Sequence, residues 1–189
     1  MSFGTYHLAN NNDLYEPSRS NNFEFLVTDV DNLLRAGVDK DLADEADYIT
    51  NGQEVIRVSV NKASVPHFEL GTIEIKRGNN VIKFAGNPTF GSGSIELHDY
   101  IGARTKDALM AWQALVYDVR TEKVFSASNY KKECKLIEYT PDYNTKIRTW
   151  VLKGCWVKSI SEGEFNNESA DKRLISATIE YDKAWIEEE

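Results

Sequence analysis

Ser94-Ile-Glu-Leu-His98, followed by Thr105-Lys-Asp-Ala-Leu-Met-Ala-Trp-Gln-Ala-Leu-Val-Tyr117, decides the fold class. The first stretch alternates, with Ile95 and Leu97 on one side and Ser94, Glu96 and His98 on the other, the period of a half-buried strand. In the second, Ala108, Leu109, Trp112, Leu115 and Val116 fall on one stripe at helical spacing. Thr105 is placed to cap that helix, and Asp107 suits its positive end. Leu33, Leu34, Val38 and Leu42 give the spacing of a short amphipathic helix within a long loop, and the other periodic stretches have period two.

Outward from this pair, strands are expected at Phe23-Glu-Phe-Leu-Val-Thr28, at Glu54-Val-Ile-Arg-Val-Ser-Val60 with Ile56, Val58 and Val60 sharing a face, at Thr72–Lys76 and at Val81–Phe84. Further strands are expected at Cys134–Tyr139, from Lys146 to about Ser159, and at Leu174–Asp182. Arg77-Gly-Asn-Asn80, Gly86-Asn-Pro88 and the glycines from Gly91 to Gly93 read as turns. About eight strands and one main helix predict a mainly β fold, a two-sheet β-sandwich or flattened barrel with a packed helix. Residues 1–22 read as an extended polar arm, and 23–189 as one domain carrying an acidic insertion at 29–52. Phe84, Phe90, Leu109, Trp112, Leu115 and Trp156 are the expected core.

Composition excludes several functions. Thirty acids face 22 bases, for a formal net charge of −8. A protein gripping nucleic acid through its phosphates needs a basic patch, which this balance opposes. No apolar run reaches the ~20 residues of a membrane helix, and Met1–Asn12 lacks the pattern of a secretory signal, so a protein kept in a reducing cytoplasm is expected, without membrane anchoring. Cys134 and Cys155 then read as small buried hydrophobes rather than a disulfide.

Catalytic templates fail one by one. His7, His67 and His98 are scattered and sit in no metal-binding frame. Gly86-Asn-Pro-Thr-Phe-Gly-Ser92 lacks the lysine a phosphate loop requires. Asp39-Lys-Asp-Leu-Ala-Asp44 has Asp44 where a calcium loop needs glycine. No enzyme, cofactor or metal is expected.

Phe84-Ala-Gly-Asn-Pro-Thr-Phe90, the alternating strand after it and the helix ending Ala108-Leu-Met-Ala-Trp-Gln113 together resemble the core of the tail tube proteins of contractile-tailed bacteriophages. Leu152-Lys-Gly-Cys-Trp-Val157, Ala63-Ser-Val-Pro66 and the closing strand Ala177–Trp185 are similar to the corresponding segments of that family. The resemblance covers roughly residues 22–28 and 53–185. It implies a structural virion protein whose hexameric rings stack into a tube inside a contractile sheath, assembled in the host bacterial cytoplasm. The implied partners are further copies of itself, the sheath protein, a baseplate tube initiator, and a tape-measure protein and genomic DNA passing through the lumen without specific binding. Tubes of phage-like injection or secretion particles and tube initiators of baseplates use the same kind of subunit. A monomeric ligand-binding β-sandwich is the alternative from a different class.

Under that resemblance Glu74, Glu96, Glu180 and Asp182, on the polar faces of alternating strands, are lumen candidates that would repel passing phosphate; the bland reading is ordinary solvated strand residues. Asp39, Asp41, Asp44, Glu45 and Asp47 are candidates for contact between stacked rings, against a plain surface loop.

Overall fold

A computed structural model describes residues 17–28, 52–101, 104–163 and 171–187. Its strands are β1 (Phe23–Val27), β2 (Val60–Ala63), β3 (Phe68–Arg77), β4 (Asn80–Phe90), β5 (Gly93–His98), β6 (Tyr117–Asp118), β7 (Lys123–Val124), β8 (Lys132–Tyr139), β9 (Lys146–Glu162), β10 (Leu174–Glu180) and β11 (Lys183–Ile186). The helices are α1 (Gly52–Ser59), α2 (Thr105–Ala114) and the single turn α3 (Ala127–Tyr130).

One seven-stranded sheet runs β1-β8-β9-β10-β5-β2, with β11 also on β9. Strand β9, 17 residues long, is its spine. Its first half, Lys146 to Cys155, pairs with β8, and Trp156 to Glu162 pairs with β10, so β9 joins two wings. Inward residues of both wings meet in one core: Phe25, Val27, Leu136 and Leu152 from one, Ile95, Leu97, Ile175, Ile179 and Val157 from the other. Helix α2 fills the space between, with Ala108, Leu109 and Trp112 fully buried and Leu115 nearly so. The Trp112 indole N–H donates to the Tyr130 carbonyl at 3.0 Å, which ties the turn α3 to the helix.

Gly154 lies where β9 slips register against β8, between the pairs Lys132↔Cys155 and Cys134↔Leu152. Its φ of +72° is left-handed, and a Cβ there would overlap the Asp182 carboxyl, which is held by Lys131 at 2.7 Å. Gly154→Ala therefore carries both a backbone cost of about 1–2 kcal/mol and displacement of Asp182. A stability loss of about 2 kcal/mol should lower the melting temperature by roughly 4–8 °C in a domain of this size. An unchanged thermal melt would show that the bend absorbs a side chain freely.

Four expectations are corrected. Glu54–Ser59 is not strand but the greater part of α1, and only from Val60 does the chain extend. Gly52, Ile56 and Ser59 form the buried row of that helix while Val58 is 60% exposed, so Ile56, Val58 and Val60 share no face. The β-branched run favours a strand locally; the buried Ile56 and the Ser59–Thr105 hydroxyl contact at 2.9 Å override it. Thr105 is accordingly not the helix cap. Arg104 takes that position, at φ 49°, with no side-chain cap.

Gly86-Asn-Pro88 is not a turn between strands. It is a bulge within β4, where the pairs Leu70↔Pro88 and Thr72↔Ala85 leave Gly86 and Asn87 opposite Gly71. A Cβ on Gly86 would stand 3.0 Å from the Gly71 carbonyl carbon, so glycine permits the close approach. Finally, Phe84 is not core: it is 51% exposed. Phe90 packs against the core from its edge, and Trp156 is half-buried, edge-on to Tyr130.

Candidate assembly surfaces

Strands β3 and β4 form a two-stranded sheet of their own, with Gly78 at φ 62° in the tight turn that joins them. At ~3.3 Å per residue the ribbon extends about 30 Å, and nearly all of its residues are exposed. The cross-strand pairs Ile73↔Phe84 and Ile75↔Ile82 put four large apolar side chains on one face. The alternate pair Glu74↔Lys83 puts an ion pair, 3.3 Å apart, on the other. The alternation seen in sequence is real, but the apolar face is turned to solvent rather than to the core. Isolated two-stranded hairpins are marginal in water, and an exposed apolar face of this kind is a candidate contact site.

The structure scatters the four lumen candidates. Glu96 on β5 and Glu180 on β10 share the solvent face of their wing, because Ile95, Leu97, Ile175, Ala177 and Ile179 take the buried face. Glu74 is out on the ribbon, and Asp182 sits beside Gly154 at the break between β10 and β11. Each has a lysine: Glu74 has Lys83, Glu96 has Lys62 at 3.1 Å, Glu180 has Lys158 at 2.6 Å, and Asp182 has Lys131. The hydrogen bond from Lys62, followed by that from Asn61, holds the Glu96 carboxyl below its ordinary range. Between these pairs lie Ser94, Ser159, Ser161, Ser176 and Thr178, in register across three strands. The face is thus hydroxyl-lined with balanced charges. Asp39, Asp41, Asp44, Glu45 and Asp47 lie outside the described residues.

One ion cluster ties the wing to the helix. Glu162 at the end of β9 contacts Lys106 of α2 at 2.8 Å and Arg173 just before β10, and Arg173 also approaches Asp99 at 3.6 Å. Lys106 first, with Arg173 after it, lowers the Glu162 pKa from its ordinary 4.5. A carboxyl depressed in the folded state adds stability above its unfolded pKa and loses it as pH falls through the folded value. Stability should therefore fall as pH drops below about 4.5, and less steeply in Glu162→Gln. Equal slopes in the two acid-denaturation profiles would remove Glu162 from the account.

Among the described residues no group of three or more His, Cys, Asp or Glu is arranged to hold a metal, and no helix is long and apolar enough to cross a membrane.

The sequence matches no protein-family model and no curated protein. Solved structures do match. A chain of the PVC sheath–tube complex of an extracellular contractile injection system, in its extended state, is 15% identical with a TM-score of 0.63 over 98% of this chain and 99% of that one. The fold is that of contractile injection system components. The anti-feeding prophage cap, which terminates the AFP tube, is 16% identical, TM-score 0.64, with 91% of each chain covered. The PVC sheath/tube terminator is 17% identical, TM-score 0.62, over 93% of this chain and 99% of that one.

The ribbon face is the feature the sequence reading misplaced. Its apolar period is the same one a core strand shows, and only tertiary placement separates the two.

Proposed function

We propose that this protein is a tube subunit of a phage-like contractile particle, which self-associates into hexameric rings that stack into a conduit within a sheath. The observation that carries the reading is the β3–β4 ribbon, a hairpin whose apolar face is about half exposed among the described residues. A neighbouring copy covers it. Because the ribbon and the surface it meets are different parts of the chain, the contact is heterologous and repeats, closing into rings and continuing along an axis. Strands β1 and β2, which end the sheet with one ladder each, offer edges that ring closure would pair. The similarity in fold to chains from a sheath–tube complex and from tube terminators supports the same reading.

The matched structures come from injection systems, which favours such a particle over a phage tail ejecting DNA. Sheath and baseplate components are the partners this role requires, with a tape-measure protein and cargo in the lumen. The hydroxyl-lined face carrying Glu96 and Glu180 is our candidate for the lumen wall. With each acid matched by a lysine, its repulsion of phosphate is weaker than four carboxylates suggest, and low adhesion to any passing polymer is its more general property.

Negative-stain electron microscopy of the purified protein at rising concentration tests the proposal. Six-fold rings or hollow tubes are the expected result. A monomer that persists at high concentration and with a tube-initiating partner would overturn it and favour a monomeric ligand-binding sandwich.

A further inference from the structure

We propose that Tyr181 is a positioning residue for assembly, fixing the direction in which the β3–β4 ribbon leaves the body. The consequence for assembly rests on the tube reading; the clamp itself is a property of the single protomer.

The ribbon joins the body through residues 64–67 on one side and 91–92 on the other. Both connections converge on Tyr181, which is 5% exposed and sits where β10 ends. Its hydroxyl accepts from the His67 backbone N–H at 3.2 Å and donates to the His67 carbonyl at 3.3 Å. That carbonyl also accepts from the Gly91 N–H at 3.3 Å, so one peptide on each side of the root is held in a single hydrogen-bonded unit. The Tyr181 ring meets Phe90 edge-on at 6.3 Å, and Phe90 meets Phe68 at 5.7 Å, which places the first cross-strand pair of the ribbon on the same aromatic stack. Gly91 packs so tightly on the His67 ring that a Cβ would come within 2.6 Å of Nε2. Ser64 completes the root, its N–H donating to the Ser94 carbonyl and its hydroxyl accepting from the Ser94 N–H.

A ribbon about 30 Å long is a lever. A swing of about 10° at its root becomes ~5 Å at Gly78, enough to misplace Ile75 and Phe84 against a neighbour. Among the described residues the body gives the ribbon's outer half little cover: Ile73, Ile75, Ile82 and Phe84 are all about half exposed. Rigidity at the root is therefore what converts the apolar face into a pre-organised contact.

The test uses Tyr181→Phe, which keeps the ring and removes both hydrogen bonds. Spin labels at Asn79→Cys, on the tip, and Lys146→Cys, on the body, report the ribbon's direction; Cys134 and Cys155 are fully buried and do not label. Measured below the assembly threshold, the distance distribution should be narrow in the otherwise wild-type protein and broad with Tyr181→Phe. The His67 and Gly91 amides should exchange about tenfold faster, and the threshold concentration for tubes should rise about tenfold, the effect of roughly one to two hydrogen bonds. Gly91→Ala, which displaces His67, should broaden the distribution in the same way. A lowered melting temperature with an unchanged distribution in both variants would make Tyr181 merely structural and overturn the proposal. If the wild-type protein never assembles yet Tyr181→Phe broadens the distribution, the tube reading fails and the clamp stands. If tubes form and neither variant alters distribution or threshold, the clamp fails and the tube reading stands.

Discussion

Ile75→Asp combined with Phe84→Asp should abolish rings and tubes while leaving the protomer folded. Both side chains are about half exposed in the protomer, at 47% and 51%, so little burial is lost within it. Substitutions of that kind cost about 0.5 kcal/mol each in a folded domain, so the pair at this size shifts the melting temperature by roughly 2–4 °C. Between copies the balance differs. Burying an isoleucine or phenylalanine contributes about 1.5–3 kcal/mol each, and an unpaired carboxylate placed there costs several more. Loss of even ~4 kcal/mol per contact weakens association about a thousandfold, and a ring multiplies that loss over every interface. The matched control exchanges the ion pair on the other face, Glu74→Lys with Lys83→Glu, which keeps its charge balance and should assemble near the wild-type threshold. Rings from the double aspartate variant at the wild-type threshold would mean that the apolar face of the ribbon is not the assembly contact.

This expectation also shows where sequence reading stops. Alternation in Thr72–Lys76 and Val81–Phe84 is visible at once, and both stretches are strands. What alternation cannot report is which molecule supplies the cover, because a core strand and an interface strand obey the same period. The period alone therefore places Phe84 inside, whereas it is 51% exposed. The stretch at Glu54–Val60 failed differently: the β-branched residues Val55, Ile56, Val58 and Val60 state a local preference of a few tenths of a kcal/mol each, and the contacts of Ile56 and Ser59 with distant elements outweigh it. The α2 stripe was legible because its five apolar positions fit no period but 3.6, and Ala108, Leu109, Trp112 and Leu115 are indeed buried. The lysine partners of the four strand carboxylates were invisible for a third reason. Lys131 and Asp182 are 51 residues apart, and Lys62 and Glu96 are 34 apart, so only the sheet order brings them together. Likewise nothing in the neighbourhood of Tyr181 marks it as touching His67, 114 residues away.

Trp112→Ala should produce the opposite phenotype, a protomer that melts early but keeps its assembly surfaces. Trp112 is the largest fully buried side chain, set among both wings and the turn at Tyr130. Truncating a buried tryptophan costs about 3–5 kcal/mol through lost transfer energy and the cavity left behind. That is a large part of a typical total of about 5–15 kcal/mol, and it should lower the melting temperature by about 6–20 °C. Trp112→Phe keeps a ring but leaves the Tyr130 carbonyl without its donor, which should cost about 1–3 kcal/mol. The ribbon residues Ile73, Ile75, Ile82 and Phe84 belong to neither the core cluster nor its packed margin. At a temperature well below its lowered midpoint, Trp112→Ala should therefore still form rings at close to the wild-type threshold. Together with the double aspartate variant, which folds normally and does not assemble, this would separate the determinants of folding from those of the tube. If Trp112→Ala stays folded in the cold yet loses assembly, α2 does more than fill the core, and the helix side of the molecule would have to be counted among the contacts between copies.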